Sequence, residues 1–124
     1  MEKKHAVAWF EIFISDSDRM RHFYETVFGV ELTPEADEEA RMLIFPFDQK
    51  HGIGGCLSQM EGGKPGTGGT MVYLNADGDL DGTLERVWQQ GGKVTRPRTP
   101  IPPHGFFAHF EDPEGNPVGI WSLS

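Results

Sequence analysis

FEIFISDSDRMRHFYETVFGVEL, Phe10 to Leu32, is the stretch that decides the fold. Its start is a strand-like run in which one carboxylate, Glu11, stands among Trp9, Phe10, Ile12, Phe13 and Ile14. Ser15 and Asp18 then have the S-x-x-D form of a helix N-terminal capping pair. Met20, Phe23, Val27 and Phe28 follow at helical spacing and predict one apolar helix face. Gly29 stands where a left-handed residue ends a helix. VELTP, halted by Pro34, begins the next strand.

Outward from this stretch the pattern repeats. ARMLIFPF and GIGGCLSQM are two more strand-like runs, so residues from about 5 to 60 read as strand, helix and three strands. EGGKPGTGG, residues 61–69, has five glycines and a proline and reads as a linker. From about residue 70 to 124 the order returns: TMVYLNAD is a strand, and GDLDGTLERVWQQGG places Leu80, Leu84, Val87 and Trp88 on one helical face. KVTRP is a short strand stopped by Pro97, and GFFAHFED and NPVGIWSL are strands joined by the turn PEG. The aspartates that close the first strand of each half, Asp16 and Asp77, lie 61 residues apart. Halves this short cannot bury both faces of a sheet alone, so they must pack together into a larger sheet.

The balance of residues narrows the function. At 124 residues the chain fits one domain, and nine Phe, three Trp and two Tyr suffice for a core without staples. Cys56 has no second cysteine to pair with, which points to a reducing compartment and a cytoplasmic protein. No run approaches the length of a membrane span. A net charge of −8 with scattered Lys and Arg argues against nucleic acid. The acidic run EADEE, Glu35 to Glu39, reads as a solvated turn.

FYETVFG after the first helix, TMVYLNADGD and the ending FEDPEGNPVGIW together resemble the vicinal oxygen chelate superfamily, over nearly the whole chain. That group holds glyoxalase-type lyases, extradiol dioxygenases, fosfomycin-modifying enzymes and bleomycin-binding resistance proteins. The resemblance implies a mixed α+β fold of two tandem βαβββ modules curled around a cavity, and a homodimer. In metal-dependent members, four strands each supply one His, Gln or Glu to a divalent ion that polarises the substrate.

Carried onto this chain, the four ligand positions fall on Trp9, Gly55 or a near neighbour, Thr70 and Gly119. Indole offers no lone pair, glycine no side chain, and neutral threonine binds weakly. A one-residue slip brings in only Cys56, so no metal site is assigned and no cofactor is expected, although a divalent metal through other ligands stays open. His5, His22, His51, His104 and His109 lie on separate segments and read as exposed or merely hydrogen-bonded.

The resemblance turns Trp9, Glu11 and Phe13 of the first strand, and Gly119 and Trp121 of the last, toward the cavity. It sets Phe10, Ile12, Ile14, Val118 and Ile120 against the helices. Trp9, Glu11, Phe13, Thr70, His104 and Trp121 are then the candidate ligand-binding residues, forming an apolar slot able to stack a flat or extended organic molecule. Alternatively Trp9 and Trp121 fill the space the ion would take. Glu11 is either a polar anchor, an acid–base residue, or a partner of Arg41 or Arg98. The proline-rich loop Arg96 to Phe106 forms a rim or a plain connection. Three functions remain: a metal-independent glyoxalase-like binder of a small organic molecule, a lyase or dioxygenase-type enzyme, and a non-catalytic interaction subunit.

Overall fold

The computed structural model describes residues 9–36, 38, 40–61, 63–68, 71–103 and 105–124. Of the residues singled out above, His5, Thr70 and His104 lie outside that set. The elements run β1 (Trp9–Phe13), α1 (Ser17–Phe28), β2 (Thr33–Ala36), β3 (Ala40–Ile44), β4 (Gly54–Met60), β5 (Tyr73–Asn75), α2 (Leu80–Gln89), β6 (Lys93–Pro100), β7 (Phe106–Glu111) and β8 (Pro117–Ser122). This is the expected βαβββ order, twice.

Each module builds its own four-stranded mixed sheet, ordered β1-β4-β3-β2 and β5-β8-β7-β6. In both, the first strand lies parallel to the last and the remaining pairs are antiparallel. The expectation of one larger sheet is corrected: the described ladders stop at β1 and β5. The modules join instead through one core on the helix side of both sheets. That core takes Ile12, Leu43 and Leu57 from the first sheet, Leu74, Phe110, Val118 and Ile120 from the second, and Met20, Phe23, Val27, Leu80 and Val87 from the helices. Helix α1 spans the two halves: the Tyr24 ring meets Phe45 at 5.9 Å and the Phe23 ring meets Phe110 at 6.2 Å.

A polar clamp reinforces the join. The turn Asp112–Asn116 sits between β7 and β8, and buried Asp112 accepts from the Tyr24 hydroxyl at 2.9 Å. Asn116 Nδ2 donates to the Phe13 carbonyl at the end of β1, also at 2.9 Å. Glu114 accepts from the Ser15 and Asp16 amides at 2.6 and 2.7 Å and from the Ser15 hydroxyl at 2.8 Å. Ser15 is therefore not the helix cap. Asp16 takes that place, accepting from Arg19 N at 3.1 Å.

Three further local readings change. β2 and β6 run through Pro34 and Pro97 and do not halt there. Both are edge strands, where a missing N–H breaks no ladder, and β6 bulges between Arg96 and Thr99. Trp88 is 74% exposed, because Leu80, Thr83 and Val87 define the buried stripe of α2 and Trp88 lies beyond it. Gly29 ends α1 with φ 65°, as its position required.

Candidate functional site

Helices and core occupy one face of each sheet, so chemistry is left to the opposite faces. On the second sheet that face is laid out in cross-strand rows. One row runs Arg96, His109, Gly119 and Tyr73, and the next runs Thr99, Phe107, Trp121 and Asn75. Ala108, Phe110, Val118 and Ile120 alternate between them and are buried in the core.

The glycine in the first row lets one ring cross the sheet. A Cβ on Gly119 would run into Tyr73 ring carbons Cδ1 and Cε1. The Tyr73 ring therefore lies over β8, and its hydroxyl reaches His109 Nε2 on β7 at 2.7 Å. Phe107 packs edge-on to Tyr73 at 6.4 Å and tilts against the His109 ring at 5.2 Å. Arg96 lays its guanidinium over the Phe107 ring, 4.9 Å from its centroid. Partial burial, and then the Arg96 charge, hold the His109 pKa below its usual value, so the imidazole is neutral near pH 7. Beside this row Tyr73, Ile101, Phe107 and Trp121 line an open groove of about 440 Å³.

The first sheet is arranged differently. Trp9 pairs with Gly54, Phe10 with Gly55, and Glu11 with Cys56. Gly55 thus shares the helix side with Phe10, whose ring covers it, and is not on the expected floor. Gly54 is on the floor, but a Cβ there would stand 2.6 Å from the Phe47 ring. Phe47 also meets Trp9 edge-on at 6.0 Å. The space over Gly54 is filled from within by Phe47, while Trp9 itself stays 43% exposed.

Glu11 accepts from the Cys56 thiol at 3.8 Å. Burial, and then the Glu11 charge, push that thiol up to about 11. Neither arginine weighed as its partner serves: Arg98 pairs with Asp81 at 3.5 Å, and Arg41 aligns with Gln59 on the other face of the sheet. Glu11 and Phe13 instead line a cleft of about 430 Å³ between the modules, with Lys64, Thr67, Val72 and Val118.

The candidates among the described residues therefore do not converge. Trp121 lies in the groove, Glu11 and Phe13 in the cleft, and Trp9 on Phe47. Tyr73, Phe107, Arg96 and His109 are the residues that sequence reasoning missed. Their parity was available, since Phe107 and His109 alternate with Ala108 and Phe110.

The family profile of the Glyoxalase/Bleomycin resistance protein/Dioxygenase superfamily matches residues 6–120. The chain belongs to that superfamily. Among solved structures, this glyoxalase-family chain is similar to TnmS3, an antibiotic binding protein from Streptomyces sp. CB03234. The two are 26% identical over 100% of this chain and 99% of that one, with a TM-score of 0.71. A glyoxalase/bleomycin resistance protein from the same organism is 25% identical over 91% and 96% of the two chains, with a TM-score of 0.68. A glyoxylase/bleomycin resistance protein/dioxygenase domain from Frankia sp. EAN1pec shares the fold at 16% identity, covering 97% and 98%, with a TM-score of 0.72. No curated protein matches.

The residues at the positions that the resemblance gives to metal ligands do not fit a chelated ion. Trp9, Gly119 and either Gly54 or Gly55 offer no donor side chain, the Tyr73 ring lies across Gly119, and Thr70 is outside the described residues. Among the described residues no three His, Cys, Asp or Glu side chains stand close enough to hold a metal. Nor is any helix among them long and apolar enough to cross a membrane.

Proposed function

We propose that this chain binds a small, flat organic molecule on the outer face of its second sheet and holds it unchanged. The observation that carries this is the open groove of Tyr73, Ile101, Phe107 and Trp121. Aromatic walls stack planar ligands at about 0.5–1.5 kcal/mol per ring pair beyond area burial. The Tyr73–His109 hydrogen bond adds a polar group that fixes orientation. Likeness to an antibiotic binding protein over the full chain supports binding without conversion.

A second copy of the chain completes the site. Helices cover only the core side of each sheet, leaving Trp9 at 43% and Tyr73 at 51% exposure on the other. Apolar side chains of that size on a sheet face favour burial by a partner. Cys56, buried and unpaired, suits a reducing cytoplasm.

A thermal-shift screen of bicyclic and tricyclic aromatics tests the reading on wild type, Trp121→Ala and Trp9→Ala. A ligand at a hundred times its Kd stabilises by about 2.7 kcal/mol, well within reach of the measurement. Hits should shift wild type and Trp9→Ala but not Trp121→Ala. Equal shifts in Trp121→Ala, or no hit at all, would overturn it.

A further inference from the structure

We infer that the ligand of the second-sheet groove is an aromatic molecule bearing an anionic oxygen, a carboxylate or phenolate, received by Arg96 and Tyr73. The inference rests on the groove being a small-molecule site and names the chemistry it selects.

Arg96 is the first reason. Three of the other five arginines pair with carboxylates: Arg21 with Glu25 at 3.2 Å, Arg86 with Asp79 at 3.1 Å and Arg98 with Asp81 at 3.5 Å. No carboxylate pairs with Arg96 among the described residues. Its guanidinium carbon instead lies over the ring of Phe107, a wall of the groove, 4.9 Å from the centroid, and its Nε donates to Thr99 Oγ1 at 3.4 Å. Those two contacts restrain the guanidinium and leave its outer N–H groups to receive a planar anion. In a chain of net charge −8, a cation beside an apolar slot creates a local field that favours acidic ligands.

The Tyr73–His109 pair is the second reason. Neutral imidazole carries one N–H, so the 2.7 Å contact has two forms. In one, Nε2–H donates to the Tyr73 oxygen, which leaves the phenol O–H free to donate to a ligand. In the other, Tyr73 donates to Nε2 and keeps only lone pairs for a ligand. An anionic oxygen needs a donor and selects the first form. Phe107 meets both Arg96 and the Tyr73 ring, so the cation and the donor residue flank the same ring.

The test compares naphthalene-2-carboxylate with naphthalene-2-carboxamide by titration calorimetry at low salt. The pair has one shape and differs in charge. The carboxylate should bind wild type at least about tenfold more tightly, or about 1.4 kcal/mol. Arg96→Gln should remove that preference with little change for the amide, while Arg96→Lys should retain part of it. Arg96 is exposed, so the variants should fold, and circular dichroism is the check on each. Equal binding of both compounds, abolished by Trp121→Ala, overturns the inference and leaves the groove reading standing. Binding of neither at millimolar concentration overturns both.

Discussion

Tyr73 lies across Gly119 to place its hydroxyl 2.7 Å from His109 Nε2, joining β5 to β7 over the strand between them. Gly119, the position that the resemblance gives to a metal ligand, is the gap through which a tyrosine ring passes. Gly119→Ala should therefore turn Tyr73 away from His109. The lost hydrogen bond costs about 0.5–1.5 kcal/mol of stability, because both rings are partly solvated. Ligand affinity should fall further, about tenfold, because the groove loses a wall. Urea unfolding and calorimetry on the same variant separate the two effects.

Tyr24 and Asp112 carry a different load. Their hydrogen bond ties α1 to the second module inside the core, so Tyr24→Phe should lose about 1.5–3 kcal/mol, the range for a bond to a charged group. Chemical denaturation at neutral pH measures it, and the groove should bind its ligand unchanged.

Asp112 also gives a pH signature. Burial raises its pKa above 3.8 despite hydrogen bonds from Asn116, Tyr24 and Glu114 that lower it. The folded state then takes up the proton more readily than the unfolded chain. This carboxyl's contribution grows as pH falls through its folded pKa and is complete below 3.8. Glu25 opposes it: the Leu32 amide lowers its pKa, so its contribution is present above 4.5 and lost as pH falls through the folded value. Asp112→Asn removes the first term alone. Its deficit against wild type should be larger at pH 3 than at pH 7, read from urea midpoints at the two values.

Cys56 should be inert. With a pKa of about 11 it is roughly one part in a thousand thiolate at pH 8, and the side chain is buried. Iodoacetamide should label it only after unfolding. Glu11→Gln should lower the thiol pKa by removing the neighbouring charge. The value should stay above the ordinary one, because burial is the larger cause. A thiolate absorbance titration reads both.

Much of the scaffold was legible in the sequence because it follows local rules. Alternation in FEIFI, the helical stripe of Met20, Phe23 and Val27, and the stop at Gly29 each act within a few residues. Errors came where partners are distant. Ser15 has a capping pattern, yet Glu114, 99 residues on, claims it and leaves the cap to Asp16. Pro34 and Pro97 stop a central strand but not an edge one, and edge status is a property of the sheet. The same limit applied to the site. Trp121 announced itself as a residue type, whereas the Tyr73–His109 bond depends on which strand lies beside which and on what Gly119 omits.

Fluorescence from single-tryptophan variants tests the central claim that the second-sheet groove is the binding site. Trp9→Phe with Trp88→Phe leaves Trp121 as the reporter; Trp88→Phe with Trp121→Phe leaves Trp9. Titration with naphthalene-2-carboxylate should quench or shift the Trp121 emission saturably and leave the Trp9 emission unchanged. Saturable response from Trp9 with none from Trp121 would contradict the account and move the site to the first sheet.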